Sequence, residues 1–572
     1  MSCTEGLDIN PFAIELAKVT MMLAHKLAID ELHITENCLP LDNLDNNFKA
    51  CDALIDHNGQ RTVWPEANVI IGNPPFMGAK RLKPERGVDY VKNLRKLYPE
   101  VPGMADYCVY WFRRAHDCLK TCTVEDPISG RAGLVGTQNI RNNQSRVGGL
   151  DYIVNSGTIV EAIDNQPWSG QAAVHVSIVN WVKSQETSIL PKSKKIWFKE
   201  EPINILKKRV KNRSQIKNYE LNYREVSYIN SALSDQADVS KAKILICNTS
   251  PQLVFQGVTP GHKGFILSEI EYKQLLEKTP KSKEIIYPYI VGDEILSGSC
   301  STNRFILDFD QMSLLEAQSF KAPFEHIKLK VLPSRQQALE KGKDLLGKPR
   351  SHHKHFLERW WQLSWGRAEM IQALSKLSRY LVCSRVTKRP IFVFLHSDVR
   401  PGDALQVFAF EDDYSFGILQ SSAHWQWFIT KCSKFGESLR YTPESIFDTF
   451  PWPQSPTRTV IKEIAEAGCL IRKLRVKFME DNEGGLRALY NTLDIPGKNQ
   501  LNDAHLVLDE AVFKAYGFSP KKDVLAQLLN LNFEIAKRFE RDDLTLTAPG
   551  IPSNYPHPKE LITVDCFGLS NK

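Results

Sequence analysis

The sequence predicts a protein of several domains, in which an α/β region comes first, a mixed α+β region follows and a helical region ends the chain. Three observations indicate this order. Short apolar runs alternate with helix-period segments over about the first 195 residues. Between about residues 215 and 450 the alternation is lost, and short apolar runs mix with polar, basic and aromatic loops. After Pro451-Trp452-Pro453 the apolar residues recur with the period of a helix. The 572 residues and 42% hydrophobic content suffice for several cores.

The first region alternates strands and helices. Gly6 to Ile9 is the end of a short strand, and Pro11 opens a helix, because proline is tolerated in the first helical turn. Val69 to Ile71 is an apolar run that stops at Gly72-Asn73-Pro74-Pro75, which predicts a buried parallel strand followed by a turn. Further along we expect a helix over Tyr107–Leu119 and strands over Ala132–Gly136, Ile159–Ile163 and Ala173–Val182. This alternation predicts a mostly parallel sheet covered on both faces.

The remaining chain changes character twice. Lysines and arginines crowd Lys192–Arg213, which indicates a linker or domain edge. Beyond Pro453 three segments have apolar residues at helical spacing, and Gly517 suits the end of the second of them. These helices are predicted over Val460–Met479, Asn502–Tyr516 and Lys522–Phe539.

The composition sets broad limits on function. A net charge of +7 and a pI near 8.6 are compatible with a polyanionic partner. Neither a signal peptide nor a membrane-spanning apolar run is visible, so we expect a cytoplasmic protein with no membrane contact. The 12 cysteines lack the spacing of a zinc site, and we interpret His352, His353 and His355 as a solvated basic segment. No metal is therefore expected.

The strongest chemical signal is Asn73-Pro74-Pro75-Phe76, directly after the predicted strand at Val69–Ile71. Ligands of open α/β sheets bind beyond the carboxyl ends of the strands. Two consecutive prolines fix the backbone and remove two N–H donors, so the carbonyls become rigid acceptors. Asn73 adds a side-chain acceptor, and Phe76 adds a flat apolar face.

These parts suit an amino group on a planar ring. Two acceptors would hold the two amine hydrogens while Phe76 stacks on the ring, which aims the nitrogen lone pair at an electrophilic methyl group. Such catalysis works by positioning and electrostatics, without a covalent enzyme intermediate. The alternative is a structural Pro-Pro loop with a capping Asn73 and a core Phe76.

On these residues the chain resembles the Class I S-adenosylmethionine-dependent N6-adenine DNA methyltransferases. More narrowly, it is similar to the MmeI-like (Type IIG/IIL) restriction-modification proteins. The resemblance implies that Asn73, Pro74, Pro75 and Phe76 accept the amino group of a flipped adenine and stack on its ring. It also implies a Rossmann-like methyltransferase sheet over residues 1–195, a DNA target-recognition domain over 196–455 and a helical C-terminal region over 456–572.

The resemblance further implies where the cofactor, S-adenosyl-L-methionine, would bind. Gly6 to Ala13 resembles the block whose acidic residue binds the ribose hydroxyls, which gives Asp8 that role with Asn10 beside it. Cys51-Asp52-Ala53-Leu54 resembles the block that contacts the cofactor adenine, through Asp52 and Ala53. Asp106 lies in a segment that resembles the start of the helix lining the cofactor pocket.

One block of the family is missing from the sequence. The first cofactor block is a strand followed by a glycine-rich turn, and only seven residues precede Asp8. We therefore expect an N-terminally truncated chain that binds cofactor weakly by itself. Its partner would be an upstream-encoded chain that carries this block or a nuclease domain. Isothermal titration that found micromolar cofactor affinity would contradict this expectation.

Double-stranded DNA is the expected substrate, because the resemblance extends into the middle region and a base must be extruded from a duplex before methylation. Basic residues near several tryptophans are our candidates for DNA contact: Lys348, Arg350, Arg359, Arg367 and Arg385.

Two rival functions stay open. An RNA or protein methyltransferase can use the same tetrapeptide, although such enzymes usually lack the roughly 350 residues that follow the sheet here. The missing glycine-rich block favours the other rival, an inactive or partner-dependent DNA-binding remnant.

Overall fold

A computed structural model gives the fold of this chain. It describes residues 4–33, 44–168, 175–199, 221–297, 304–341, 351–435, 438–481, 484–494, 498–519, 521–541, 543 and 545–567. The chain divides into two compact units, Met1–Ala237 and Asp238–Lys572, which we call unit 1 and unit 2. Across the described ranges, no helix is long and apolar enough to cross a membrane.

Unit 1 alternates strands and helices, as the sequence predicts. Its strands are β1 Gly6–Asp8, β2 Phe48–Ala50, β3 Val69–Gly72, β4 Arg131–Thr137, β5 Thr158–Pro167, β6 His175–Val182, β7 Lys194–Lys199 and β8 Leu221–Val226. Its helices are α1 Pro11–Glu31, α2 Ala79–Arg86, α3 Val88–Leu97, α4 Val109–Cys118, α5 Asn143–Gly148 and α6 Leu150–Ile153.

The main sheet of unit 1 has six strands in the order β3-β4-β6-β5-β7-β8. The expectation of a mostly parallel sheet is wrong, because only the β3–β4 and β5–β7 pairs are parallel. The other three pairs are antiparallel. Strands β5 and β6 follow each other in the chain and pair directly with each other in antiparallel orientation, so the chain direction reverses between them.

Strand β3 is parallel to β4, as predicted, but it is not buried. It lies at the edge of the sheet, and the side chains of Val69 and Ile71 are 51% and 83% exposed. An apolar run identifies a strand, but its burial depends on what lies beside it. Among the described residues only β4 pairs with β3.

Strands β1 and β2 form a separate parallel pair next to α1. Among the residues that the structure describes, the buried members of their apolar cluster are Ile14, Leu44 and Phe48. A row of apolar side chains on α1 stays exposed at helical spacing: Phe12, Leu16, Val19, Leu23 and Leu27. We call this row the α1 apolar stripe.

The basic stretch predicted as a linker is in part a strand. Lys194–Lys199 forms β7, which pairs with both β5 and β8. Lys195 projects over the ring of Tyr223 on β8, with 4.6 Å from Nζ to the ring centroid. Residues 200–220 lie outside the described part, and so do residues 169–174, which include the first two residues of the predicted strand Ala173–Val182.

Unit 2 opens with short elements of both kinds. Its strands are β9 Val254–Gln256, β10 Ile266–Ser268, β11 Ile286–Ile290, β12 Arg304–Leu307, β13 Arg379–Ser384, β14 Val386–Thr387, β15 Val393–His396, β16 Arg400–Pro401, β17 Leu405–Phe408, β18 Ser433–Phe435 and β19 Ser438–Arg440. They form sheets in the orders β10-β12-β11-β16, β15-β13-β17-β9 and β14-β19-β18.

The helices of unit 2 lie between these strands and after them. Those among the strands are α7 Ile246–Thr249, α8 Glu269–Lys278, α9 Gly292–Ser297, α10 Leu314–Gln318, α11 Lys321–Lys330, α12 Leu332–Lys341, α13 Ser351–Glu358, α14 Ala368–Leu374, α15 Asp413–Gln420 and α16 Ser422–Lys431. The helical end comprises α17 Arg458–Asp481, α18 Leu486–Asn491, α19 Gln500–Tyr516 and α20 Val524–Phe539. Helices α17, α19 and α20 match the three predicted helices. Gly517 ends α19 in the left-handed conformation, with a φ of 66°.

Candidate functional site

The tetrapeptide Asn73 to Phe76 follows the carboxyl end of β3, at the rim of the sheet. Asn73 and Pro75 are exposed, whereas Pro74 is buried and anchors the turn. A Cβ at Gly72 would lie 2.9 Å from Cδ2 of Leu134 on β4, so a larger residue there requires the Leu134 side chain or the start of the turn to shift. The sequence therefore places the turn at the surface and fixes its start.

The polar atoms of this turn are available to a ligand. Within the described ranges, no donor bonds to the carbonyls of Asn73, Pro74 and Pro75 or to the Asn73 side chain. Phe76 is half-buried and meets Trp168 edge-to-face, with 5.4 Å between the ring centroids and 79° between the planes. This contact fixes the Phe76 ring beside rigid oxygen acceptors.

The loop that follows is bonded to the start of α4. The amide of Tyr107 donates to the carbonyl of Met77 at 2.9 Å. A Cβ added at Gly78 would lie 3.8 Å from Oδ1 of Asp106, so this carboxylate lies close to the loop. Asp106 and the tetrapeptide thus belong to one region of unit 1.

Asp106 is buried, and neighbouring polar groups orient its carboxylate. Oδ2 accepts hydrogen bonds from Thr137 Oγ1 at 2.7 Å and from Asn139 Nδ2 at 3.2 Å. The main-chain amide of Asp106 donates to Ser145 Oγ at 2.9 Å. Thr137 and Asn139, which donate to Oδ2, lie at the end of β4 and in the turn after it. Strand β4 is the neighbour of β3 in the sheet.

Asp52 lies two residues after β2 and is bonded on both oxygens. Oδ1 accepts from the amides of Leu54 and Ile55 at 2.9 and 3.3 Å. Oδ2 accepts from Arg86 Nη2 at 2.5 Å and from Tyr90 Oη at 2.9 Å. A cofactor amine at Asp52 would therefore share or displace the Arg86 contact.

Tyr90 and Tyr107 connect Asp52 to the start of α4. Their hydroxyl oxygens are 2.6 Å apart, and because Tyr90 donates to Asp52, Tyr107 donates to Tyr90. Burial raises the pKa of both hydroxyls, so both stay protonated and can serve as donors. Asp52, Tyr90 and Tyr107 thus form a continuous chain of hydrogen bonds towards Asp106 and Met77.

Asp8 lies on the strand beside β2. It pairs with Ala50 in the parallel register, and its carbonyl accepts from the amide of Cys51 at 2.9 Å. Its side chain is exposed, and Oδ1 accepts from the amide of Asn10 at 2.7 Å. Asn10 in turn caps α1 by accepting from the amide of Phe12 at 3.0 Å.

The donor set can be compared with the adenosine part of the expected cofactor. Asp8 is the last residue of β1, and Asp52 follows the adjacent parallel strand β2, so both lie at the carboxyl ends of strands, where ribose and base recognition take place in such sheets. Ala53 uses its carbonyl to accept from Trp64 Nε1 at 2.7 Å, while its amide has no partner in the described residues. An exposed carboxylate for hydroxyls and a free amide for a ring nitrogen fit this half of the molecule.

In unit 2, three of the five arginines and lysines predicted to bind DNA can be located. Lys348 and Arg350 lie outside the described residues. Arg359 and Arg367 line a cavity of about 520 Å³, and Arg367 and Arg385 line a second cavity of about 610 Å³. We call the two together the recognition groove, because both are lined by Gln252, Phe255, Gln256 and Arg367.

A buried arginine holds one wall of this groove. Arg335 on α12 donates from Nη1 to the carbonyls of Phe356 and Arg359, at 2.7 and 3.2 Å. From Nη2 it donates to the carbonyl of Gln362 at 3.1 Å. Burial lowers its pKa to about 10, and its described partners are oxygens without charge. The Arg335 guanidinium therefore fixes the end of α13 and the loop after it by binding main-chain carbonyls of that segment.

Sequence reasoning missed several residues of both sites. The sequence did not indicate Tyr90 or Arg86, because each is separated from its hydrogen-bond partner Asp52 by more than 30 positions in the chain. Arg440, Glu444 and Asp448 line the larger cavity. Arg440 and Glu444 flank Tyr441-Thr442-Pro443 in the sequence, and their spacing matches no binding motif.

Family models match most of the chain. A model described as the MmeI DNA-methyltransferase domain matches residues 1–193. A second, described as the MmeI target recognition domain, matches residues 235–454. The recognition groove lies mainly within this second range.

Two individual proteins show the extent of the likeness. DNA methyltransferase A of Bacillus subtilis (strain 168) is 23% identical over 567 residues, covering 93% of this chain and 56% of that protein. The chain thus spans little more than half the length of this curated relative. The solved structure of the Type IIL restriction-modification enzyme MmeI in complex with DNA superposes with a TM-score of 0.66 at 20% identity, covering 93% of this chain and 66% of that one. Together with the family models, this likeness confirms the predicted fold class.

Proposed function

Because this chain belongs to the MmeI-like family of restriction-modification proteins and contains its DNA-methyltransferase domain, we propose that it transfers a methyl group from S-adenosyl-L-methionine to the N6 amino group of adenine in double-stranded DNA. The observation that carries this proposal is the turn after β3. There, unbonded oxygen acceptors lie at the surface beside a Phe76 ring that Trp168 holds in place.

The turn would act on an adenine extruded from the duplex. The carbonyl of Pro74 and the side-chain oxygen of Asn73 would each accept one hydrogen of the N6 amino group. Phe76 would stack on the ring and keep its plane fixed. Held in this way, the nitrogen lone pair leaves the ring plane and becomes nucleophilic. The contribution of the protein is orientation and charge stabilisation, since no side chain bonds covalently to the base.

The cofactor would supply the electrophilic methyl group. Asp8 and Asn10 would hold its ribose, while Asp52 and the amide of Ala53 would hold its adenine. Asp106 would line the pocket between the cofactor and the tetrapeptide, since its carboxylate lies near Gly78. The support for these roles is the position of Asp8 and Asp52 at the carboxyl ends of adjacent parallel strands.

DNA recognition is assigned to the middle of the chain. We propose residues 1–195 as the catalytic domain, 196–455 as the target-recognition domain and 456–572 as a helical C-terminal region. Arg359, Arg367 and Arg385 support this division because they line the recognition groove of unit 2. Lys348 and Arg350 are proposed with them from sequence alone. We also propose a cytoplasmic location, where the DNA modified by restriction-modification enzymes lies.

A partner chain is part of the proposal. The α1 apolar stripe exposes five large side chains, and such rows mark interaction surfaces. We propose that a partner that carries the glycine-rich cofactor block covers it, and that a nuclease domain can be joined to the same partner. Aspartate at both Leu16 and Leu23 should then prevent copurification of the two chains, while a Glu15→Lys control on the same helix should not. Equal recovery with all three proteins would contradict this assignment.

Methylation-sensitive sequencing of DNA from cells that express the chain, together with its partner where one is found, tests the function. We expect N6-methyladenine at one sequence motif, and we expect Asn73→Ala to abolish it. Asn58→Ala is the matched control, because Asn58 is exposed and lies outside the site. A mark that survives Asn73→Ala would refute the assignment of the site. Sequence-specific DNA binding without any mark would favour the DNA-binding remnant.

A further inference from the structure

The carboxylate of Asp52 has all of its acceptor positions filled by groups of unit 1. A carboxylate offers about four lone-pair positions, two on each oxygen. The amides of Leu54 and Ile55 take the two positions on Oδ1. Arg86 Nη2 and Tyr90 Oη take the two on Oδ2. A purine amine can therefore bind this carboxylate only if one of the four donors leaves.

Arg86 is the donor that can leave. The two amides belong to the main chain directly after Asp52, so they stay where the loop is. The hydroxyl of Tyr90 is held on both sides, by Asp52 and by Tyr107. The Arg86 contact depends on one long side chain that is 27% exposed. Its guanidinium also lies over the Tyr90 ring, with 4.5 Å from Cζ to the centroid, so it keeps a favourable contact when it leaves Asp52.

Helix α2 connects this contact to the tetrapeptide. The helix begins after Gly78, two residues beyond Phe76, and Arg86 is its last residue. It is attached to the rest of unit 1 through the buried Leu82 and through the Arg86 bond. Gly87 ends it with a φ of 86°, a conformation that glycine adopts without strain. A short helix between two glycines can change position when one of its attachments is lost.

We propose that Arg86 competes with the adenine amine of the cofactor for Oδ2 of Asp52, and that cofactor binding releases Arg86 together with α2. The assignment rests on the proposed function, since it takes Asp52 as an acceptor for the cofactor adenine. Arg86 is then a positioning residue, because it sets how strongly the amine contributes to binding. Release of α2 next to the turn after β3 links cofactor binding to the site that receives the target base.

The 6-substituent of the purine reports this competition. An amine donates and needs an acceptor, so it has to displace Arg86. A 6-oxo group accepts, so it leaves Arg86 on Asp52 and can accept from the remaining N–H groups of the guanidinium. Arg86→Met keeps an unbranched side chain but removes the competing donor. The substitution should therefore favour the amine alone.

Isothermal titration with S-adenosyl-L-homocysteine and with its 6-oxo analogue, S-inosyl-L-homocysteine, tests the inference. The full-length chain is used, together with its partner where one is found. We expect Arg86→Met to tighten binding of the adenine compound about tenfold, the equivalent of one hydrogen bond to a charged group, and not to tighten binding of the 6-oxo compound. Lys83→Met is the matched control, because Lys83 lies on the same helix and is exposed.

The possible results separate this inference from the proposed function. Equal or weaker binding of the adenine compound by Arg86→Met would overturn the inference alone, because Arg86 would then support the site without competing for it. If neither protein binds either compound, the cofactor role of Asp52 fails, and the inference fails with it.

Hydrogen exchange of the wild-type protein gives a second measurement that needs no substitution. When S-adenosyl-L-homocysteine binds, the amides of residues 83–87 should exchange at least about tenfold faster, while the amides next to Asp52 slow down. The 6-oxo compound should not produce this increase. Unchanged or slower exchange over α2 with the adenine compound would show that the helix is not released, and would overturn the inference.

Discussion

Replacement of Asp413 by asparagine should destabilise unit 2 more than any comparable change at its surface. Asp413 begins α15 and is buried. Its Oδ1 accepts from Arg379 Nη2 at 2.8 Å and from Arg472 Nη2 at 2.6 Å. Both arginines are buried as well, so Asp413→Asn keeps the shape of the side chain but removes the buried one of the two carboxylate charges that neutralise them.

The size of the effect follows from burial. Removal of one partner from a buried ion pair costs about 3–5 kcal/mol, because an uncompensated charge stays in the interior. Asp565 contacts the same two arginines, but its side chain is 50% exposed. Solvent therefore screens its charge, and Asp565→Asn should cost only about 1 kcal/mol. The two variants form a matched pair that differs mainly in burial.

Scanning calorimetry of the full-length chain measures the difference, since it can separate the transitions of the two units. Unit 2 spans Asp238–Lys572, and at an unfolding entropy of about 2.1 cal/mol/K per residue each kcal/mol shifts the Tm of a unit of this size by about 1.4 °C. We therefore expect Asp413→Asn to lower the unit 2 transition by roughly 4–7 °C, and Asp565→Asn by about 1–2 °C. Equal shifts for the two variants would refute the reasoning, because they would mean that burial does not decide the cost.

Two further predictions concern unit 1. His116 is buried, and this burial lowers its pKa to about 4, with a smaller contribution from the charge of Lys183. Its Nδ1 accepts a hydrogen bond from Trp181 Nε1 at 3.2 Å, so the folded state needs the neutral ring. Because the unfolded chain binds this proton more readily, the free energy of unfolding should fall by up to about 3 kcal/mol as the pH is lowered from 7 to 4. The urea midpoint of unit 1 measures this dependence, and His116→Gln should lose part of it. Identical pH profiles for the two proteins would contradict the assignment. The second prediction concerns Gly72→Ala, which places a Cβ 2.9 Å from Leu134 Cδ2 just before the tetrapeptide. Methylation should fall at least about tenfold, while the melting temperature of unit 1 changes little. Unchanged methylation would show that the turn tolerates displacement.

Local chain signals predicted the position of the turn after β3 correctly. An apolar run followed by Gly72 and two prolines is enough to place a strand end and a rigid turn, and β3 ends where expected. The burial of β3 was predicted wrongly, because exposure depends on neighbouring strands and not on the run itself. The mostly parallel sheet was wrong for a related reason, since strand direction in β4, β5 and β6 is decided by pairing.

The recognition groove was predicted only in part. Arg359, Arg367 and Arg385 line it, but Arg440 reaches it through the pairing of β19 with β14, across more than 50 positions. Gln256 comes from β9, which pairs with β17 about 150 positions later. No spacing rule connects residues so far apart, so a single sequence cannot assemble such a cavity.

The contacts of Arg335 have a consequence for which substitutions the groove can tolerate. Three of the oxygens it binds belong to the peptide backbone, which is the same whatever residues the loop carries. Substitutions at exposed positions between Phe356 and Gln362 can therefore accumulate without loss of the loop's course. A scaffold supported in this way separates evolvability from foldability: the residues that line the groove can diversify while the framework behind them stays unchanged.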